Sequence, residues 1–369
     1  MKKKRKLKKK PIIILSIILF FIIIAIFVIT FKDFIFKKEE KPKTLEKEEV
    51  VTLSMLVAGN ILQDQKIITD GIVKTNEYKF DYIFKDIKEI KNKHDLKYYN
   101  QESIIGGSKL GYSSNNKYNS PKEIGDFMIS SGFNLVSLSN RHSYDKGKDG
   151  INNSLEYFKT KDIVYSGQGL EESIIKNIKG INYTLLSYTM DTIIPLKEDL
   201  VSIYSKDKVK KDIEKLKDKV DLIIVSISWK DLESSDITDE QKDIANYLST
   251  LGVDILIGNG SYIQKIDKVN DMLVIYSSGN LLSNYSIVDK DTSMITNFKI
   301  NFSLTKNKIT NSTIEDITSK IIYTSSKNGV NFKLIEYPKL TDKILKNHKD
   351  YYKKYSDIIK SNIDIKIEK

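Results

Sequence analysis

The chain has 369 residues, 40% hydrophobic and 30% charged, the balance of a folded protein and not of a disordered one. It has no cysteine, which excludes disulfides, thiolate catalysis, a cysteine-bound zinc and an acylated lipoprotein anchor. The formal charge of +11 is concentrated at the start: positions 2 to 10 hold eight Lys or Arg, and the other 52 basic and 49 acidic side chains leave +3, with both signs interspersed. That distribution argues against a phosphate-tracking surface, and no nucleic-acid partner is expected.

Residues 1–10 read as a basic cytoplasmic tail, and 11–31 as a transmembrane segment. The run from Ile12 to Phe31 has no charge and, as a helix, reaches about 30 Å, one hydrocarbon core. It ends at Ile29-Thr30-Phe31-Lys32, without the small residues of a cleavage site. The expectation is an uncleaved, single-pass signal-anchor in the cell membrane, N-terminus cytoplasmic and the rest extracellular. Residues 32–50 read as a charged linker.

From Val51 short apolar runs alternate with helical patterns. Strands are predicted at Val51 to Val57, Leu96 to Tyr99, Asn134 to Leu138, Ile163 to Tyr165, Tyr183 to Tyr188, Asp221 to Ile227, Asp254 to Ile257 and Met272 to Tyr276. Helices are predicted from a capping box at Ser120-Pro121-Lys122-Glu123, over Gly150 to Lys159 and Lys206 to Lys219, and from a second box at Thr238. Longer alternating strands follow at Thr296 to Leu304 and Lys308 to Ile314, then a helix from Leu340 to about Lys360. This order predicts an α/β layered fold over 51–290, with 291–369 supplying strands and a helix that complete or cover it. Functional groups in such folds sit on loops past the carboxyl ends of strands.

Those loops carry Gly59-Asn60, Asn100-x-Glu102, Asn140-x-His142, Asp145-x-Gly147, Ser226-x-Ser228-Trp229, Gly258 to Tyr262, and Ser278-Gly279-Asn280. In order and spacing, from about Val51 to Tyr285, they resemble the CapA family of membrane-anchored capsule-synthesis proteins associated with poly-γ-glutamate. The resemblance implies an α/β/β/α sandwich of metallophosphatase type, preceded here by one transmembrane helix. It also implies a site built from Asn60, Asn100, Glu102, Asn140, Arg141, His142, Ser228, Trp229, Gly260 and Tyr262.

The same comparison exposes losses. Gly59-Asn60 stands where the family pattern implies Gly-Asp, Arg141 where it implies a second asparagine, Ser228 for one histidine, and Gly260-Ser261-Tyr262 for His-Pro-His. Of the implied metal ligands only Glu102 and His142 remain. One carboxylate and one imidazole rarely hold a divalent ion beside a guanidinium that cannot deprotonate. No metal cofactor is therefore expected, and Arg141 is expected to replace the lost positive charge and pair with Glu102.

A serine triad using Ser139 or Ser143 with His142 and Asp145 lacks a nucleophile elbow. The pairs Asp145/Asp149 and Asp231/Glu233, and His94 and His348, read as surface groups. Trp229, the only tryptophan, reads as packing. Two functions stay open. One is a non-catalytic member that binds an anionic polymer, such as poly-γ-glutamate, or positions capsule synthesis or export proteins. The other is an active hydrolase or transferase rebuilt around Glu102 and His142.

Overall fold

A computed structural model describes residues 9–32, 49–114, 116–169, 172–196, 199–230, 233–306, 308–360 and 363–368. Most of the expected basic tail and linker lies outside them. The N-terminal unit contributes helix α1 (Lys9–Thr30), whose stretch Ile13–Thr30 has mean hydropathy 3.4 and is unburied by protein. It is long and apolar enough to cross a membrane, a property that signal sequences share.

The second unit spans Glu48–Lys369. Its strands are β1 (Glu49–Ile61), β2 (Ile72–Lys74), β3 (Glu77–Tyr78), β4 (Leu96–Gln101), β5 (Leu135–Ser137), β6 (Val164–Ser166), β7 (Ile175–Ile178), β8 (Ile181–Thr189) and β9 (Leu222–Ser228). They continue with β10 (Ile255–Asn259), β11 (Ile266–Val269), β12 (Met272–Ile275), β13 (Asn280–Leu282), β14 (Thr292–Thr305), β15 (Lys308–Lys327), β16 (Val330–Glu336) and β17 (Lys366–Ile367). The helices are α2 (Gln65–Asp70), α3 (Lys88–Lys91), α4 (Lys122–Ser130), α5 (Gly147–Lys159), α6 (Lys206–Glu214), α7 (Asp239–Thr250) and α8 (His348–Ile359).

One sheet runs β16-β15-β14-β1-β4-β5-β6, with β13 beside β1 and β17 beside β15; the other runs β11-β12-β10-β9-β8-β7. Alternation along β1 shows how they stack. Leu53, Met55 and Val57 face a core shared with Leu185 of β8, Ile224 of β9 and Ile257 of β10. Leu56 and Ala58, one residue out of phase, face Ile124 and Met128 of α4 and Ile151 and Phe158 of α5. On the second sheet Val225 and Ile227 turn outward against Val209 of α6 and Leu248 of α7. The result is the expected α/β/β/α sandwich. Each such buried side chain contributes about 1.5–3 kcal/mol relative to exposure.

The C-terminal region enters this core directly: β14 pairs antiparallel with β1 from Glu49 to Val57, and Phe298 and Phe302 lie between the sheets. The box at Thr238 forms as predicted, its side chain and that of Gln241 bonding reciprocally. The box at Ser120 does not. Ser120 is buried with its Oγ 2.5 Å from Ser103 Oγ, and Pro121 takes the cap position without a side-chain bond. The last helix starts at His348 and not near 340, because Asn347 adopts φ +59° and separates it from the turn that begins at Thr341.

Candidate functional site

Strands β1, β4 and β5 run parallel in one sheet, and β8, β9 and β10 in the other. Their carboxyl ends converge on a cavity of about 210 Å³. Glu102 reaches it from the end of β4, Arg141 and His142 from the loop after β5, Ser228, Trp229 and Lys230 from the end of β9, and Gly260 from beyond β10. Close backbone approach requires glycine at two of these ends. A Cβ on Gly59 would lie 2.1 Å from Gly279 O, and one on Gly258 would lie 2.2 Å from Trp229 Nε1.

Asn60, Asn100 and Asn140 are fully or almost fully buried and are joined to one another. Asn140 Nδ2 donates to Asn100 Oδ1 (3.4 Å) and, more closely, to Gln101 O (2.9 Å). Asn100 Nδ2 donates to Asn60 Oδ1 (3.0 Å), and Asn60 Nδ2 donates to Asn280 Oδ1 (2.9 Å) and Gly260 O (3.2 Å). Asn280 Nδ2 completes the line at Lys290 O (2.8 Å). Four amides thus form a neutral, internally bonded chain along the ends of the first sheet, tied to the second through Gly260 O. A buried amide satisfied in this way stabilises the fold, whereas an unpartnered one costs about 1–3 kcal/mol.

His142 is held from two directions. Its backbone N–H donates to Asn140 Oδ1 (3.0 Å), and its Nδ1 sits 2.9 Å from Asp145 Oδ2. That carboxylate also accepts Tyr118 N–H at 2.7 Å, and the Tyr118 ring meets the imidazole edge-to-face at 4.5 Å. Burial pushes the Tyr118 phenol up to about 12, and the carboxylates of Asp64, Glu102 and Asp145 add to the shift. With Nδ1 committed to Asp145, the other ring nitrogen is the one left for chemistry in the cavity. Asp145, read from sequence as a surface acid, is therefore corrected to a buried partner of His142; the turn over residues 141–146 folds it back. Asp149 and Glu233 are exposed, and Asp231 lies outside the described residues. His94 and His348 are half-buried rather than fully solvated, bonded through Nδ1 to Asn92 O and Asp342.

The serine triad has no hydroxyl to use. Ser139 Oγ donates to Ser202 O and Ser143 Oγ to Leu138 O. Arg141 Nε forms an ion pair with Asp191 Oδ1 at 3.2 Å, a partner that sequence reading missed, while Glu102 lines the same cavity. Lys230 pairs with Glu240 at 3.3 Å, both half-exposed, a contact worth about 1 kcal/mol or less. Trp229 is buried as predicted, Nε1 donating to Tyr276 O at 2.6 Å, yet its body also forms cavity wall. Tyr262 is not part of that wall; its neighbour Ser261 is.

The described donors at the cavity are not the set that the resemblance implies for a divalent cation. Where the resemblance implies a carboxylate there is Asn60, an amide bonded to Asn100 and Asn280; where it implies imidazoles there are Ser228, Gly260 and Tyr262, and a guanidinium faces the same space. Among the described residues no three His, Asp or Glu side chains are placed to share an ion. Sequence reading also missed Asn116, Tyr118, Ile193 and Tyr285 in the cavity wall. They arrive on irregular loops, whose side-chain direction no periodicity announces.

The family model described as bacterial capsule synthesis protein PGA_cap matches residues 54–285. The capsule biosynthesis protein CapA of Bacillus anthracis is 24% identical over 264 residues, 67% of this chain and 63% of that protein, so under two thirds of its length is matched. The PGA biosynthesis protein CapA of Bacillus subtilis is 24% identical over 272 residues, 70% of each. Among solved structures, the anchor in the inner membrane complex of Plasmodium is 12% identical with a TM-score of 0.40, covering 85% of this chain and 98% of that one. A 5'-nucleotidase of Candida albicans is 12% identical with a TM-score of 0.37, covering 66% and 46%. Likeness at that level says nothing about what this chain does.

Proposed function

The chain belongs to the bacterial capsule synthesis protein PGA_cap family, and from that membership we propose that it serves capsule biosynthesis as a non-catalytic, membrane-anchored extracellular protein. Helix α1 is its anchor, and the eight cations of residues 2–10 hold the N-terminus in the cytoplasm. Its exported unit binds poly-γ-glutamate or holds a capsule synthesis or export protein against it. The observation that carries this reading is the amide chain Asn140–Asn100–Asn60–Asn280, which begins at the residue before Arg141. Amides that satisfy one another offer no anionic ligand to a metal that would polarise a bond or acidify a water. A guanidinium and the Lys230 ammonium at the cavity suit a carboxylate instead.

A second reading, a hydrolase or transferase using Glu102 and His142, is favoured by one observation: Asp145 orients the imidazole as it would a general acid or base. One experiment separates the two. Full-length protein in detergent is offered manganese, zinc and iron, dialysed, and assayed for metal by plasma mass spectrometry and for poly-γ-glutamate binding by titration calorimetry. Near-zero metal with saturable polymer binding supports the binding role. One or two equivalents of metal, lost on changing Glu102 or His142, with cleavage of the polymer, would overturn it.

A further inference from the structure

A second cavity of about 300 Å³ adjoins the first, and Asn116, Tyr118 and Tyr285 are walls of both. Each alone lies at or below the usual lower limit for ligand sites, about 300 Å³, while the two together fall inside the range. Their chemistry differs. The first holds the Arg141 and Lys230 cations beside the Glu102 carboxylate; the second has no cation among its described lining residues, and Asp64 is its only charged group. Asp64 is fixed by neutral donors: Oδ1 accepts Ile67 N–H at 2.9 Å and Oδ2 accepts Asn284 Nδ2 at 2.6 Å. Those bonds orient the carboxylate without cancelling its charge, and each oxygen keeps a further lone-pair direction. A ligand filling both cavities therefore meets two cations against one carboxylate at one end, and a carboxylate with no cation lining the cavity at the other.

We propose that the paired cavities read the amine-bearing end of an anionic chain, with a chain carboxylate at Arg141 and Lys230 and the terminal ammonium at Asp64. This rests on the polymer-binding reading above. A mid-chain segment of poly-γ-glutamate would bring a carboxylate to Asp64 with no ammonium beside it, and like charges repel. Only the amino end brings a cation there. That amine, with an ordinary pKa near 8, is protonated at neutral pH. The hydroxyl and amide groups around Asp64 remain for the peptide groups that follow.

The test compares two probes on full-length protein in detergent micelles at pH 7: a γ-linked glutamate tetramer with a free amino terminus, and the same tetramer N-acetylated. Calorimetric titration is expected to give the free amine about fivefold tighter binding, the worth of one half-exposed ion pair. In Asp64→Asn the ratio is expected to fall to about one. Equal or tighter binding of the acetylated probe to the unaltered protein would overturn the proposal and leave the polymer-binding reading standing. Binding of neither tetramer, with long polymer still bound, would overturn end recognition alone; binding of no form would overturn both. The comparison on the unaltered protein decides the matter even if Asp64→Asn unfolds.

Discussion

Arg141 Nε donates to Asp191 Oδ1 at 3.2 Å, and the backbone supports the same contact, Ile193 N–H donating to Arg141 O at 3.0 Å. The guanidinium proposed to receive a ligand carboxylate already holds an internal one. Both side chains are part-exposed, so the pair is worth at most about 1 kcal/mol. Asp191→Asn keeps an acceptor oxygen and removes the competing charge. Affinity for poly-γ-glutamate is expected to rise about three- to fivefold at low salt, with the gain shrinking near 0.5 M salt as charges are screened. Unchanged or weaker affinity in a calorimetric titration would place the ligand away from Arg141.

Asn60 cannot be replaced by an acid without loss. Its Nδ2 donates to Asn280 Oδ1 and Gly260 O, so a carboxylate there would face two acceptors in a buried setting. Asn60→Asp is expected to cost about 2–4 kcal/mol, the range for an uncompensated buried charge with broken hydrogen bonds. Thermal melting with and without manganese checks this. The expected melting temperature falls and manganese does not restore it. A manganese-dependent recovery would show that the remaining groups still form a metal site.

The strand ends were legible because apolar runs such as Ile223 to Ile227 stop abruptly at polar residues, and parallel strands align their carboxyl ends. Asn60, Glu102, His142 and Ser228 follow from that rule. The partners that define their chemistry do not. Asp145 is buried only because the turn after β5 returns it to His142, with Asp145 N–H donating to His142 O at 3.1 Å. Tyr118 arrives on a loop held by the Asn119 side chain, which bonds Gly106 N, Gly107 O and Gly111 O. Such contacts depend on tertiary placement, to which strand and helix periods are blind. The capping box at Ser120 failed for the same reason: a tertiary hydrogen bond to Ser103 took the hydroxyl that local rules gave to the helix.

Asp254 gives the folded state a defined pH dependence. Burial pushes its carboxyl up to about 6 and nearby Asp221 adds to the shift, while Ile223 N–H, donating at 2.7 Å, offsets part of it. The unfolded carboxyl titrates near 4, so between about pH 4 and 6 the folded protein holds the extra proton. Stability from this group is full below that window and is lost as pH rises through it. Asp254→Asn, which keeps an acceptor for Ile223, is expected to match the unaltered protein near pH 4 and exceed it by on the order of 2 kcal/mol at pH 7. Urea unfolding across that range measures the difference. An advantage independent of pH would rule out titration as its source.

Trp229 offers a direct optical reading of the cavity because it is the only tryptophan in the chain. Its indole is 3% exposed, with Nε1 fixed on Tyr276 O, and it lines the cavity. Emission is therefore expected to be blue-shifted in the free protein and to change saturably as poly-γ-glutamate is added. Gly258 is what permits that placement, since a Cβ there would lie 2.0 Å from Tyr276 O and 2.2 Å from Trp229 Nε1. The carbonyl is backbone and cannot swing aside, so Gly258→Ala forces the indole or the end of β10 to move. Loss of about 2–4 kcal/mol is expected, with a red-shifted emission even before unfolding. A variant with unaltered emission and stability would mean that β10 and the indole are not locked together, and the cavity wall they form would have to be redrawn.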